Sequence, residues 1–142
     1  RAGRGDAEIR DPAGDQTMSD TPVRMSVQQF AARTGLSAHT LRYYEKIGLL
    51  RQVARDASGF RVYGPRDLEW VGFILRLKET NMALDDIIRY ADLRELGDST
   101  LEARQTLLEA HAAKLQERLQ RDREHLDALQ KKFELYRQQT TA

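Results

Sequence analysis

Helical spacing of apolar residues begins at Met25. Val27, Phe30 and Ala31 fall on one face of a short amphipathic segment, with Ser26 as N-cap and Gly35 as stop. Ser37 offers a second N-cap only two residues past that glycine, so Thr34-Gly35-Leu36-Ser37 predicts a tight turn between two helices. The second helix is expected through SAHTLRYYEKIG, ending at Gly48, with Leu49 and Leu50 folding back onto it. Strand-like runs follow at Arg51 to Ala54 and Phe60 to Tyr63, separated by the turn residues Arg55-Asp56-Ala57-Ser58-Gly59, a pattern that predicts a β-hairpin.

Gly64-Pro65 opens a third helix, where proline suits the first turn and Asp67 and Glu69 suit the helix dipole. Its apolar residues, Leu68, Trp70, Val71, Phe73, Ile74, Leu75 and Leu77, cover most of the circumference and predict the central core helix. Leu84, Ile87, Ile88 and Ala91 mark a fourth amphipathic helix that ends before Gly97-Asp98.

Beyond that glycine the periodicity changes. Ser99 with Glu102 forms a capping-box pattern, and apolar residues then recur at alternating steps of a heptad: Leu101, Leu108, Ala112, Leu115, Leu119, Leu126, Leu129, Phe133 and Tyr136. Gln105 and Asp122 interrupt the seam, and Asp122 suits a register-fixing role. With neither glycine nor proline after Gly97, the pattern predicts one helix roughly 50 Å long at 1.5 Å per residue. Such a helix is too long to be covered by so small a head, so a dimeric coiled coil over residues 98–142 is expected, carrying the dimerisation contacts.

Composition narrows the classes. A chain of 142 residues has room for a small domain plus an extended helix, and not for a second large catalytic module. Residues 1–23 are rich in Gly, Asp and Arg without periodicity and read as a disordered leader or an upstream extension, with Met18 and Met25 both plausible starts. No cysteine is present, so disulfides, thiolate metal sites and cysteine redox switches are not expected. With no apolar run of membrane-spanning length and no signal-peptide core, the expected location is the cytoplasm, with no membrane partner. His111 and His125 share a heptad position but lie too far apart to chelate one metal within one helix; solvated histidines are expected, and neither a metal nor a cofactor is.

The formal net charge of +1 conceals a local excess of positive charge. Between Met25 and Pro65 the cations are Arg33, Arg42, Lys46, Arg51, Arg55 and Arg61, against Glu45 and Asp56. At 3.6 residues per turn the second helix turns Leu41 and Tyr44 inward while His39, Arg42, Tyr43 and Lys46 cluster outside. Arginine can bond guanine edges or phosphates, tyrosine can give its hydroxyl to a phosphate, and Thr40 at the flank can reach either. Those are the tools of a DNA-recognition helix, although a solvated face would carry similar residues. In the terminal helix, by contrast, both signs of charge are interspersed, as on a solvated coiled-coil exterior.

The run VQQFAARTGLSAHTLRYYEKIGLL, the hairpin RDASGFRVYG, the helix DLEWVGFILRLKE and the terminal coiled coil together resemble the MerR family of bacterial transcription regulators, from Arg24 onward. The resemblance implies a mainly α fold: a winged helix-turn-helix head over residues 24–97 with a small β-hairpin wing, then a long helix forming an antiparallel dimeric coiled coil. It implies a homodimer on pseudo-palindromic promoter DNA that bends and untwists an over-long spacer, acting on RNA polymerase holoenzyme through the DNA. By position it implies DNA contacts from Ser37, Thr40, Arg42, Tyr43 and Tyr44 and from Arg61 and Tyr63 of the wing. Helical geometry makes Tyr44 mainly a core residue with a possible phosphate contact by its hydroxyl; His39, Lys46 and Arg55 are added from surface chemistry.

The resemblance supplies no effector. Members sensing mercury, copper, zinc or superoxide use cysteines, which are absent here, and the large C-terminal ligand domain of drug-sensing members is not expected past Tyr136. A ligand between the fourth helix and the coil would meet Trp70, Tyr90, Phe133 and Tyr136, which serve more simply as packing residues. Two other readings stay open: a coiled-coil adaptor whose basic head binds an acidic protein surface, and an architectural DNA-bending protein. An enzyme is not expected, since no nucleophile constellation, paired carboxylates or phosphate-cradling loop occurs at workable spacing.

Overall fold

The computed structural model describes residues 23–141, so nearly all of the expected leader, with Met18, lies outside the described residues. The chain divides into two units, one closing at Arg104 and one beginning at Gln105.

In the first unit, helix α1 spans Val27–Thr34 and α2 spans Ala38–Lys46. A full capping box opens α1: the Gln29 amide donates to Ser26 Oγ at 3.2 Å while the Ser26 amide donates to Gln29 Oε1 at 2.9 Å. Gly35 closes α1 at φ 76, and the Ser37 hydroxyl caps α2 by accepting from the Thr40 amide. Helix α2 ends at Lys46, earlier than the sequence pattern predicts, because Ile47 takes the cap position and Gly48 the left-handed one (φ 88). Beyond it the Leu49 amide donates to the Tyr44 carbonyl at 2.8 Å and the Gly48 amide to that of Glu45 at 3.3 Å, the paired bonds of a Schellman turn. Leu49 and Leu50 thereby enter the core, as expected.

The hairpin is shorter and displaced. Strand β1 is Ala54–Arg55 and β2 is Arg61–Val62, antiparallel, with Ala54 opposite Val62 and Arg55 opposite Arg61. Arg51 and Gln52, expected to begin the first strand, lie outside it. Gln52 has φ 54, which no strand accommodates. Arg51 is held by its Nε bond to the Gly48 carbonyl at 2.7 Å and by an ion pair with Asp92. Arg55, expected in the turn, is a strand residue. Asp56 organises the turn, its Oδ1 accepting from the amides of Ser58 and Phe60 at 2.9 and 3.0 Å. An unforeseen bridge joins Met25 to Tyr63 with amide-to-carbonyl bonds of 2.7 and 2.9 Å, tying the start of the domain to the end of the hairpin.

Helix α3 (Pro65–Glu79) buries Trp70, Val71, Ile74 and Leu77, whereas Leu68, Phe73 and Leu75 are half-buried. It is the core helix that its composition predicts. Helix α4 (Leu84–Glu95) buries Ile87, Tyr90 and Ala91 and leaves Leu84 exposed. Trp70 stacks on Tyr90 with centroids 5.8 Å apart, and its indole N–H donates to the Leu49 carbonyl at 2.7 Å. The aromatic pair is packing, and the indole proton anchors the segment that leaves α2.

Helix α5 spans Leu101–Thr141, and its 41 residues extend about 60 Å. A 3-10 turn at Asp98–Thr100 precedes it, so the hydroxyl at this junction that reaches back to α4 is that of Thr100 and not of Ser99. Thr100 Oγ1 donates to the Leu93 carbonyl at 2.6 Å, and Arg104 reaches Thr100 Oγ1 and the Gly97 carbonyl at 3.1 and 3.2 Å. Thr100 and Arg104 are buried, so the first unit extends past residue 97, the end its composition suggests.

Candidate nucleic-acid interface

Along α2 the outer residues are His39, Arg42, Tyr43 and Lys46, all exposed, with Tyr43 at 47%. None of the four makes an ion pair or side-chain hydrogen bond among the described residues, so their donors face solvent. Ser37 is spent locally, capping the Thr40 amide and donating to Thr40 Oγ1 at 3.0 Å. Thr40 is half-buried on the flank of the helix. Leu41 (0% exposed) and Tyr44 (2%) form the inner face. The division between faces is the one that helical geometry predicts.

Tyr44 has an unforeseen partner, Lys78 near the end of α3. The lysine ammonium donates to the tyrosine hydroxyl at 3.0 Å and lies 5.1 Å from the ring centroid. Sequence reading missed Lys78 because the two residues are 34 positions apart and a lone lysine on a core helix has no distinguishing spacing.

The hairpin is fixed to α2 by charge. Arg61 Nε donates to Glu45 Oε1 at 2.7 Å, with both side chains about one-quarter to one-third exposed. The arginine is therefore a strut between wing and helix as well as a local cation. Arg55 braces the turn through a 2.8 Å bond to the Gly59 carbonyl and remains exposed. Phe60, 71% exposed, projects at the turn.

Tyr63 is corrected to a core position. It is 1% exposed, and its ring stacks on Phe30 with centroids 4.2 Å apart and planes 1° from parallel. Strand alternation explains this: Arg61 and Tyr63 share the face turned toward α1 and α2, whereas Phe60 and Val62 share the other. Burial pushes the Tyr63 phenol above its ordinary 10.0; Arg61 opposes that rise, and Glu45 and Asp67 add to it.

In the second unit the seam residues Leu119, Leu126, Leu129, Phe133 and Tyr136 are 48 to 65% exposed, Ala112 is exposed and Leu115 is half-buried. Leu108, also of the second unit, is half-buried, and Leu101, at the start of α5, is 48% exposed. Among the described residues no cluster of three or more His, Asp or Glu side chains could hold a metal ion. No described helix is long and apolar enough to cross a membrane.

Two family models match: MerR HTH family regulatory protein over residues 25–94, and MerR, DNA binding, over residues 68–132. An HTH-type transcriptional regulator of Haemophilus influenzae is 39% identical over 106 residues, covering 75% of this chain and 78% of the relative. The chain belongs to the MerR family. The HTH-type transcriptional regulator AdhR of Bacillus subtilis, another of its relatives, is 40% identical over 59% of this chain and 60% of its own length. Among solved structures, HiNmlR, a MerR-family regulator lacking the sensor domain and bound to promoter DNA, has a TM-score of 0.72 at 36% identity, covering 81% of this chain and 91% of that one. A MerR-family transcriptional regulator from Listeria monocytogenes gives a TM-score of 0.75 at 35% identity over 79% and 85% of the two chains. The relatives are transcriptional regulators, a non-enzymatic role, and the resemblance read from LRYYEKIGLL and FRVY is confirmed over both units of this MerR-family chain.

Proposed function

We propose that this MerR-family protein acts in the cytoplasm as a homodimer on promoter DNA, placing α2 in the major groove and the hairpin wing against the flanking phosphates. By bending and untwisting the spacer it would alter how RNA polymerase holoenzyme meets the promoter, without contacting the enzyme. One observation carries this reading: His39, Arg42, Tyr43 and Lys46 lie together on the exposed face of α2 with no acidic partner, beside a wing fixed to the same helix by Arg61 and Glu45. Structural neighbours support it, since HiNmlR, which shares this fold, is bound to promoter DNA. The exposed apolar seam of α5 supports the dimer.

Arg42 is the residue best suited to read a base, because its guanidinium fork can bond two acceptors of guanine at once. Arg42→Ala is expected to lose about 1–3 kcal/mol per half-site against the selected sequence, roughly 5- to 150-fold, while weak binding to random duplex persists. Mobility-shift titration at physiological salt measures both. Unchanged affinity for the selected sequence would remove α2 from the role of reader.

A further inference from the structure

We propose that Lys78 grips a DNA phosphate beside α2, extending the interface onto helix α3 through Tyr44. This rests on the DNA-binding reading above and deepens it. Tyr44 is a core residue by burial, 2% exposed, yet its hydroxyl reaches the Lys78 ammonium, 3.0 Å away. A lysine ammonium has three N–H donors, and Tyr44 takes one of them. Lys78 is exposed and pairs with no carboxylate among the described residues, so its charge is uncompensated and two donors remain. The tyrosine hydroxyl, which accepts from the lysine, keeps its own proton to donate.

Two donor groups held 3.0 Å apart, one carrying a full positive charge, match an anion with several acceptor oxygens, and along a duplex that anion is the backbone phosphate. The location favours DNA over any other anion. Thr40 and Tyr44 stand one helical turn apart on the same flank of α2, one residue round from the outward face of Arg42 and Tyr43. Lys78 therefore continues the basic face of the reading helix, and contact with the lysine ring-side methylenes holds its position over Tyr44.

A phosphate contact differs from a structural one in its salt dependence. The test uses the full chain and a duplex selected by it from a random pool, with affinity measured across a salt series. The unmodified chain should bind with a steep log–log slope, and Lys78→Gln should make that slope shallower by about 0.9 per site, or about 1.8 for a dimer. Affinity for selected and for random duplexes should fall by the same factor, because a phosphate carries no sequence. Lys78→Arg should restore the slope. If Lys78→Gln keeps the full slope, whether or not its affinity or thermal midpoint falls, the lysine is structural and the inference is overturned while DNA binding stands. If the unmodified chain shows no salt-dependent binding to any duplex, the DNA-binding reading fails, and this inference with it.

Discussion

At Gly48 the backbone passes through φ 88 while the amides of Leu49 and Leu50 converge on the Tyr44 carbonyl, 2.8 and 3.1 Å away. That turn sets where α2 stops and where the wing begins. A side chain there would meet Arg51 Nη2 at 3.3 Å, and the left-handed conformation itself costs an L-residue roughly 1–2 kcal/mol. Gly48→Ala should therefore lower stability by about that amount, seen as an earlier urea midpoint with an unchanged slope. An unaltered midpoint would mean that the turn does not constrain the head. Tyr63 illustrates the limit of local reading at the same scale. Its position in FRVY suggests a wing contact, and only the stack on Phe30 and the bridge to Met25, both distant in sequence, make it a core residue.

Helices were legible because their signals are local. Ser26 with Gln29, Gly35 and Ser37 mark ends that the backbone obeys within a residue or two. The hairpin was less legible, since strands of two residues have no periodicity to read, and their register is set by the Arg51–Asp92 pair, the Gln52 conformation and the Asp56 turn. Helix α5 presents the opposite case: its heptads are plain in the sequence, and the structure leaves the seam bare, with Leu126 53% and Leu129 65% exposed. Single helices with such a surface are marginal in water and gain stability by pairing. Leu126→Glu together with Leu129→Glu should convert the dimer to monomer in sedimentation and reduce helical circular dichroism. A double variant that still sediments as a dimer would place the subunit contact elsewhere.

Over the whole molecule, a net charge of +1 separates into a basic DNA-facing head and a charge-mixed helix, so function is carried by the distribution and not the sum. The outer face of α2 was readable from helical geometry alone. Lys78 was not, because its place beside Tyr44 exists only once α3 packs against α2. Two heads joined through α5 would meet DNA as a symmetric pair, and that symmetry is the central claim. It is tested most directly by cleavage footprinting of the full chain on genomic fragments that it retains. The account predicts two protected half-sites related by a dyad, lying between the promoter elements and flanking a centre of altered cleavage where the spacer is distorted. A single unsymmetrical protected patch, or protection without sequence preference, would contradict it.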